Sequence, residues 1–581
     1  MTTPLVSAIE RADDIPLLIA QMNKIQLAKL LDEEFPMHGN WSGLSLGKIV
    51  EVWLAYILSE GDHRLNHVES WVDGLLITIK KCLNSDICAL DFSDDRLAIV
   101  LDALGQDDKW ESFEVKFSQG IIRIYDLKPK RVRVDSTTAK SYRTSVNDDG
   151  LFQFGHSKDH RPDLPQLKIN QSALDPLGIP LTTTIVSGEK SDDPLYIPEI
   201  QKVQKIINIS GVLIVGDCKM SALATRTYVA RSGAHYLSPL SAVQMPASIL
   251  AEILSPVWTN QQQLIDVYNP QNEPEAAKTK IAEGFTYTVT LQDQPEKDGE
   301  IFEWEEQRLV VHSLKHAVKQ EKKLLSDIDK AQKAINKLNK TGRGIKRLNQ
   351  NTLEASVEAI LKKYKVSDLL DIEYSQIINE KEIPATKKCA SYILQDIIPT
   401  VQTKIEKSAL DNAVRHLGWR VFVCNDKELT LSEAVMAYRQ EYIIEHGFAR
   451  YKGKTLGLTP IYLSSEIRIK GLVRLLSIGL RVLCLLEFTV RKALKSSNEK
   501  LSGIYKGNPK RSTESPSAEM MLKVFRGISL VVININGKKY TEVTPLTLVQ
   551  KKILLLLGVP ESTYISLEKS TIELPNELSE R

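Results

Sequence analysis

Three acidic residues stand where metal-dependent phosphodiester chemistry would need them. "RVRVDSTTAK" reads as a strand ending at Asp135, and "VLIVGDCK" as a wholly apolar, buried central strand ending at Asp217. Ligands of open α/β sheets gather beyond the carboxyl ends of the strands, so on neighbouring strands the two carboxylates would meet at one edge. Glu445 lies far downstream in "AYRQEYIIEHGFARYKGK", a predicted helix that Thr430 and Glu433 open with a capping box. At about 100° per residue, Tyr438, Glu441, Glu445 and Lys452 fall on one stripe about 60° wide. Such oxygen donors suit Mg²⁺ or Mn²⁺. A pair of these ions about 3.5–4 Å apart can activate water and stabilise the leaving oxygen of a phosphodiester. Each aspartate alone also reads as a turn cap, and the stripe as a solvated face of Glu–Lys partners. The combination is what points to chemistry.

The elements that must position these groups alternate in type. Residues 1–115 read as a helical domain, with apolar spacing near 3.6 in "DDIPLLIAQMNKIQLAKLLDEEF" and "LSLGKIVEVWLAYILSEGDHRL". Such a bundle admits a DNA-binding role without proving one. Over 120–240 the texture is α/β: a hairpin about "DPLG", a helix in "PLYIPEIQKVQKIINISG", the strand to Asp217, the helix "SALATRTYVARSG" and the strand "AHYLSPLS". Residues 241–412 break that rhythm with a β patch and a lysine-rich helical hairpin interrupted near Gly342. The α/β texture resumes over 413–500 with the strand "GWRVFVCND". A linker and small C-terminal region fill 501–581, with a hairpin at Asn536-Gly537 and no readable role. One α/β domain is therefore expected to be split by a large insertion.

At 581 residues, 43% hydrophobic and 25% charged, with net charge +2, the chain has the balance of an ordinary globular protein of several domains. That balance neither requires nor excludes nucleic acid, because only clustered charge would matter. Cys82, Cys88, Cys218, Cys389, Cys424 and Cys484 show no Cys-x-x-Cys spacing and read as reduced core thiols of an intracellular protein. The N-terminus lacks an apolar signal core. The most hydrophobic stretch, Gly471 to Val490, is interrupted by Arg474, Arg481 and Glu487, so a buried helix is expected there and not a membrane span. There is no Walker A loop and no GxGxxG, so no nucleotide cofactor is indicated.

The sequence resembles the DDE transposases of bacterial insertion sequences, and more closely the superfamily with a Tyr-x2-Arg-x3-Glu-x6-Lys signature around the last acid. Tyr438, Glu445 and Lys452 match at the required spacings, while Glu441 stands where the signature has arginine. "VDSTTAK" resembles the first-aspartate motif and "IVGDCKMSALATRTYVARSGAHYLSPLS" the second. "FGHSKDHRPDLPQLK" and the N-terminal "ERADDIPLLIAQMNKIQLAKLLDEEFP" resemble the long-chain branch. Together these cover most of residues 5 to 495.

The resemblance implies an RNase H-like catalytic core, interrupted by the β-rich and helical-hairpin insertion and preceded by the helical N-terminal domain. It implies Asp135, Asp217 and Glu445 as a triad holding Mg²⁺ or Mn²⁺, as two ions. The activity implied is cleavage of double-stranded DNA at transposon ends and strand transfer into target DNA, by a homodimer on the DNA, in the bacterial cytoplasm. Tyr438 and Lys452 would contact phosphates, with Arg439 and Arg450 as neighbours that could replace the missing arginine. Lys158 and Arg161, in a loop with His156 and His160, read equally as phosphate contacts or as a surface loop ordered by salt bridges. Trp258 and Trp304 of the insertion admit base stacking, but core packing is the plainer reading. His446 is expected to be packed. A nuclease without strand transfer and a non-catalytic DNA-binding descendant remain the alternatives.

Overall fold

A computed structural model describes residues 5–143, 146–269, 279–293, 301–340, 348–383, 391–535 and 538–568. Cys389, the break near Gly342 and the Asn536-Gly537 turn lie outside the described residues. The chain is mixed α/β and divides into two compact units, Met1–Ser238 with Ala437–Arg581, and Pro239–Met436.

The first unit opens with a strand, not a helix: β1 (Leu5–Arg11) precedes α1 (Ile15–Lys24), α2 (Leu27–Glu34), α3 (Leu46–Glu60), α4 (Val68–Asp73), α5 (Leu76–Leu83), α6 (Asp94–Leu104) and α7 (Asp107–Ile124). Ser45 caps α3 by accepting from the Lys48 amide, and Gly61, at φ 69°, ends it. Then come β2 (Arg131–Lys140), β3 (Gln166–Leu174), β4 (Ile179–Ser187), α8 (Tyr196–Ile206), β5 (Leu213–Val215), α9 (Leu223–Arg231) and β6 (His235–Pro239). These strands lie in the order β4-β3-β2-β5-β6. β4, β3 and β2 are antiparallel neighbours, and the β3–β4 turn falls at Asp175–Gly178 as "DPLG" predicts. β2 and β5, and β5 and β6, pair in parallel.

The second unit holds α10 (Ala247–Trp258) and four strands in the antiparallel order β12-β9-β8-β7. They are β7 (Ile265–Tyr268), β8 (Lys280–Asp293), β9 (Phe302–Ser313) and β12 (Trp419–Cys424). Between β9 and β12 lie the lysine-rich helices α11 (Leu314–Leu338) and α12 (Gln350–Tyr364), packed through Ile328, Ala331, Ile335, Leu353, Val357 and Leu361. A long ribbon of β10 (Leu370–Ile383) and β11 (Tyr392–Ile405), absent from the sequence reading, follows them, then α13 (Lys407–Arg415). The unit runs past the expected boundary at 412 to Met436, inside α14 (Leu431–Arg439), which the Thr430–Glu433 capping box opens.

Back in the first unit, α15 (Tyr442–Lys452) leads to α16 (Glu466–Ser497), 32 residues buried on nearly all sides. Its charges are matched: Arg481 bonds Glu114 and the Pro180 and Leu181 carbonyls, Arg474 the Leu104 carbonyl and Asp107, Glu487 Arg450. Among the described residues no helix is long and apolar enough to cross a membrane. The C-terminal region is no appendage. After β13 (Leu501–Ser502), β14 (Ser512–Thr513) and α17 (Ala518–Val524), strands β15 (Ser529–Ile535) and β16 (Lys538–Val543) build a sheet with β1, in the order β1-β15-β16. The helices α18 (Leu548–Leu557) and α19 (Ser562–Ile565) close the chain, and the Tyr564 hydroxyl donates to the Asp13 carbonyl. Of the cysteines, Cys424 and Cys484 are buried, whereas Cys88 is exposed, so the reading of all six as core thiols was too broad.

Candidate functional site

The register of β2 and β5 sets the centre of the site. Arg133 lies opposite Val215, the last paired residue of β5. Asp135 and Asp217 each follow by two residues, so continued register places them side by side. Asp135 is not at a strand end, however, because β2 runs on to Lys140 against β3. What ends at Arg133 is the pairing with β5. Gly216 makes room at this point, since a Cβ on it would lie 2.7 Å from Met220 Sδ and 3.1 Å from the Tyr196 ring.

Both aspartates commit one oxygen to protein donors. Asp135 Oδ1 accepts from the Ser136 amide at 2.7 Å and from Lys158 Nζ at 3.0 Å. Asp217 Oδ1 accepts from the Tyr196 hydroxyl at 2.6 Å and the Lys219 amide at 2.8 Å. The Oδ2 atom of each makes no hydrogen bond among the described residues. Burial raises the Asp135 carboxyl above its ordinary value; Lys158 and the Ser136 amide offset this in part, and the Asp217 charge adds to it. Burial, then the charges of Asp217 and Asp135, lift Tyr196 well above the ordinary tyrosine range, so its hydroxyl stays a donor.

Lys158 is held in place by its loop. Its amide donates to Thr138 Oγ1 at 3.1 Å, and its ammonium also reaches the Ser136 carbonyl. The next residue, Asp159, accepts from Lys452 Nζ at 2.6 Å. On the other side of β2, Ser136 Oγ and Lys168 Nζ both donate to Asp192 Oδ1 at 2.8 Å.

The helix expected to deliver Glu445 is two helices. α14 ends at Arg439 and α15 begins at Tyr442. In a continuous helix the Ala437 carbonyl would accept from the Glu441 amide. Arg133 Nη2 donates to that carbonyl instead, and the Glu441 amide turns to the Tyr438 carbonyl at 3.0 Å. Tyr438 belongs to α14, before the break, and its hydroxyl bonds the Glu441 carboxylate. Glu441, the N-cap residue of α15, keeps a common stripe with Glu445 and Lys452.

One contact holds the α14–α15 junction to β2, Arg131 Nη1 donating to Gln440 Oε1 at 2.9 Å, and one holds the end of α15, Lys452 Nζ donating to the Thr138 carbonyl at 3.4 Å. Residues alternate faces along a strand, so Asp135 presents to the same side as Arg131 and Arg133, the side of the α14–α15 junction. Glu441 feels this arrangement. Burial first, then the charges of Asp135 and Glu445, push it up to about 7, with the Tyr438 hydrogen bond opposing. Glu445 and His446 are exposed on α15, so His446 is not packed as expected.

The other predicted residues are placed as follows. Arg450 is buried at 5% exposure against Glu487 and Glu519, which ties α15 to α16 and α17 and removes it from the candidate DNA contacts. Arg161 pairs with Asp163, and Arg439 is exposed at the end of α14. In the second unit Trp258 packs edge-on to Trp419, and Trp304 is buried and stacked on Phe302, which is the core role. Sequence reasoning missed Tyr196, Asp192 and Lys168. The pairing of β3 with β2 brings Lys168 there and the packing of α8 and the turn before it brings Tyr196 and Asp192, and no local spacing signals either.

The donors fit a hard divalent cation in type, being carboxylate oxygens with Oδ2 of both aspartates open. Among the described residues, no three His, Cys, Asp or Glu side chains stand together closely enough to hold an ion.

Residues 7–115 match a family model described as a domain of unknown function, DUF4277. No curated protein matches the chain. Among solved structures it is similar to the piggyBac transposase synaptic complex with hairpin DNA, determined by cryo-EM, at 8% identity over 88% of this chain and 79% of that one, with a TM-score of 0.32. At that score the likeness says nothing about activity.

Proposed function

We propose that the chain is a metal-dependent DNA transposase of the DDE type, with an RNase H-like core in its first unit. The observation that supports this best is that Asp135, two residues past the last β2–β5 pair, and Asp217, just beyond the end of β5, continue one register, with the end of α15 bonded to β2 through Lys452. Asp135 and Asp217 would hold Mg²⁺ or Mn²⁺ through their open oxygens, and Glu445, exposed on α15, would have to move toward them to serve as the third donor. The bound ions would supply activation of the attacking water or 3′-hydroxyl and relief of charge on the leaving oxygen. The protein's own part is to fix the carboxylates: Tyr196 and the Lys219 amide orient Asp217, Lys158 and the Ser136 amide orient Asp135. Lys158 pairs with Asp135 and Lys452 with the neighbouring Asp159, and each would exchange its carboxylate partner for a DNA phosphate. Processing of paired ends suits a homodimer on the DNA.

The test is Asp135→Ala. Mg²⁺-dependent cleavage of DNA should vanish while DNA binding persists. Cleavage that survives the substitution rejects the reading. A pre-cleaved 3′-hydroxyl end then separates transposition from hydrolysis, because a nuclease leaves it unjoined to target DNA.

A further inference from the structure

Beyond Lys140 the strand that carries Asp135 runs into a cavity of about 470 Å³, a size that suits a small ligand. One wall comes from Tyr142, Arg143 and Phe152, the other from Ile461, Tyr462 and Ser464, in the segment that follows α15. Two features separate this cavity from an ordinary surface cleft. Tyr142 and Tyr462, on opposite segments, remain 60% and 73% exposed, although they are large aromatic side chains. Arg143 lies over the Phe152 ring at 4.4 Å and donates through Nη2 to the Leu463 and Ser464 carbonyls at 2.8 Å, which clamps the walls together. Its Nε and Nη1 make no hydrogen bond among the described residues. Arg161 reaches the Tyr142 hydroxyl and brings a second guanidinium to the rim.

Flat aromatic faces beside guanidinium groups are what an unpaired nucleobase and its phosphate recognise. The position also fits. From Asp135 to Ser141 is about 20 Å along the strand, the length of about six steps of one DNA strand. We propose that this cavity receives an unpaired base of the DNA strand bound at Asp135, stacked on Tyr142 and Tyr462 and held at its phosphate by Arg143. This rests on the proposed function for the presence of DNA, and it adds a base-stacking site outside the carboxylate centre.

The experiment uses the full chain without divalent metal and a single-stranded oligonucleotide carrying one 2-aminopurine, with binding read by anisotropy and stacking by fluorescence quenching. Wild type should bind and quench. Tyr142→Ala and Tyr462→Ala should each weaken binding roughly fivefold to a hundredfold, the range for losing one base–aromatic stack, and relieve the quenching. The phenylalanine variants should retain both. Both tyrosines are exposed, so the alanine variants should keep the wild-type melting temperature. Unchanged affinity and quenching in both alanine variants overturns the proposal, as does a wild type that binds no single strand. Failure of the catalytic reading shows separately, as cleavage indifferent to Asp135→Ala while the quenching signal persists.

Discussion

Lys158 Nζ lies 3.0 Å from Asp135 Oδ1, so the carboxylate at the centre of the candidate site already has a cation beside it. Both side chains are largely buried, at 28% and 19% exposure. The Lys158→Met variant leaves Asp135 with only the Ser136 amide. Loss of one charged hydrogen-bond partner in a half-buried setting should cost about 1–2 kcal/mol, read as a lower midpoint in urea at pH 7. An unchanged midpoint would mean that the pair contributes nothing to folding.

Glu441 predicts a pH dependence. Its carboxyl is raised from 4.5 to about 7 in the folded chain, first by burial and then by Asp135 and Glu445. A raised acid stabilises the fold below its unfolded value and loses that contribution as pH rises through the folded value. Stability should therefore decline between about pH 4.5 and 7, by about 3 kcal/mol at most. Glu441→Gln should flatten that window and make the protein more stable than wild type at pH 8. Parallel denaturation curves for the two proteins across the window would count against the placement of Glu441.

Arg450 should behave as a folding residue. It bridges Glu487 and Glu519 from a buried position, while Glu487 keeps Arg491 and the Ala518 amide. Arg450→Met should cost about 3 kcal/mol, because it leaves a buried carboxylate short of a partner. Measured per folded molecule, DNA affinity should not change. A variant of normal stability and weakened DNA binding would restore Arg450 to the phosphate contacts.

What the sequence made legible was local. The "DPLG" turn and the capping box at Thr430 each carry their signal within a few residues and form as read, whereas the apolar run expected to end at Asp217 gives a shorter strand that stops at Val215. The break between α14 and α15 was hidden, because Arg133, some three hundred positions away, takes the Ala437 carbonyl. The same holds for β1, whose partner β15 lies at the other end of the chain, and for Tyr196, which meets Asp217 only through the packing of α8. Long-range pairing leaves no periodic trace in either segment. The stripe of Glu441, Glu445 and Lys452 survived the break because Glu445 and Lys452 belong to α15 and Glu441, its N-cap residue, has helical backbone angles.

A divalent cation and Lys158 should compete for Asp135. The ammonium sits on Oδ1, Oδ2 is open, and Asp217 presents a second open oxygen just beyond the end of the neighbouring strand. A bound dication would meet the ammonium across a few ångströms, and like charges at that range in a half-buried site repel by several kcal/mol at an effective dielectric of about 20. Lys158→Met should therefore bind Mn²⁺ about a hundredfold more tightly than wild type, at tenfold per 1.4 kcal/mol, while Asp135→Asn and Asp217→Asn should each bind it far more weakly. Isothermal titration calorimetry of the three variants without DNA measures this directly. Chelation should lower the melting temperature of a Mn²⁺-saturated wild type and leave that of Asp135→Asn unmoved. Equal Mn²⁺ affinity in all the variants would place the metal elsewhere and remove the basis for assigning catalysis to this pair of aspartates.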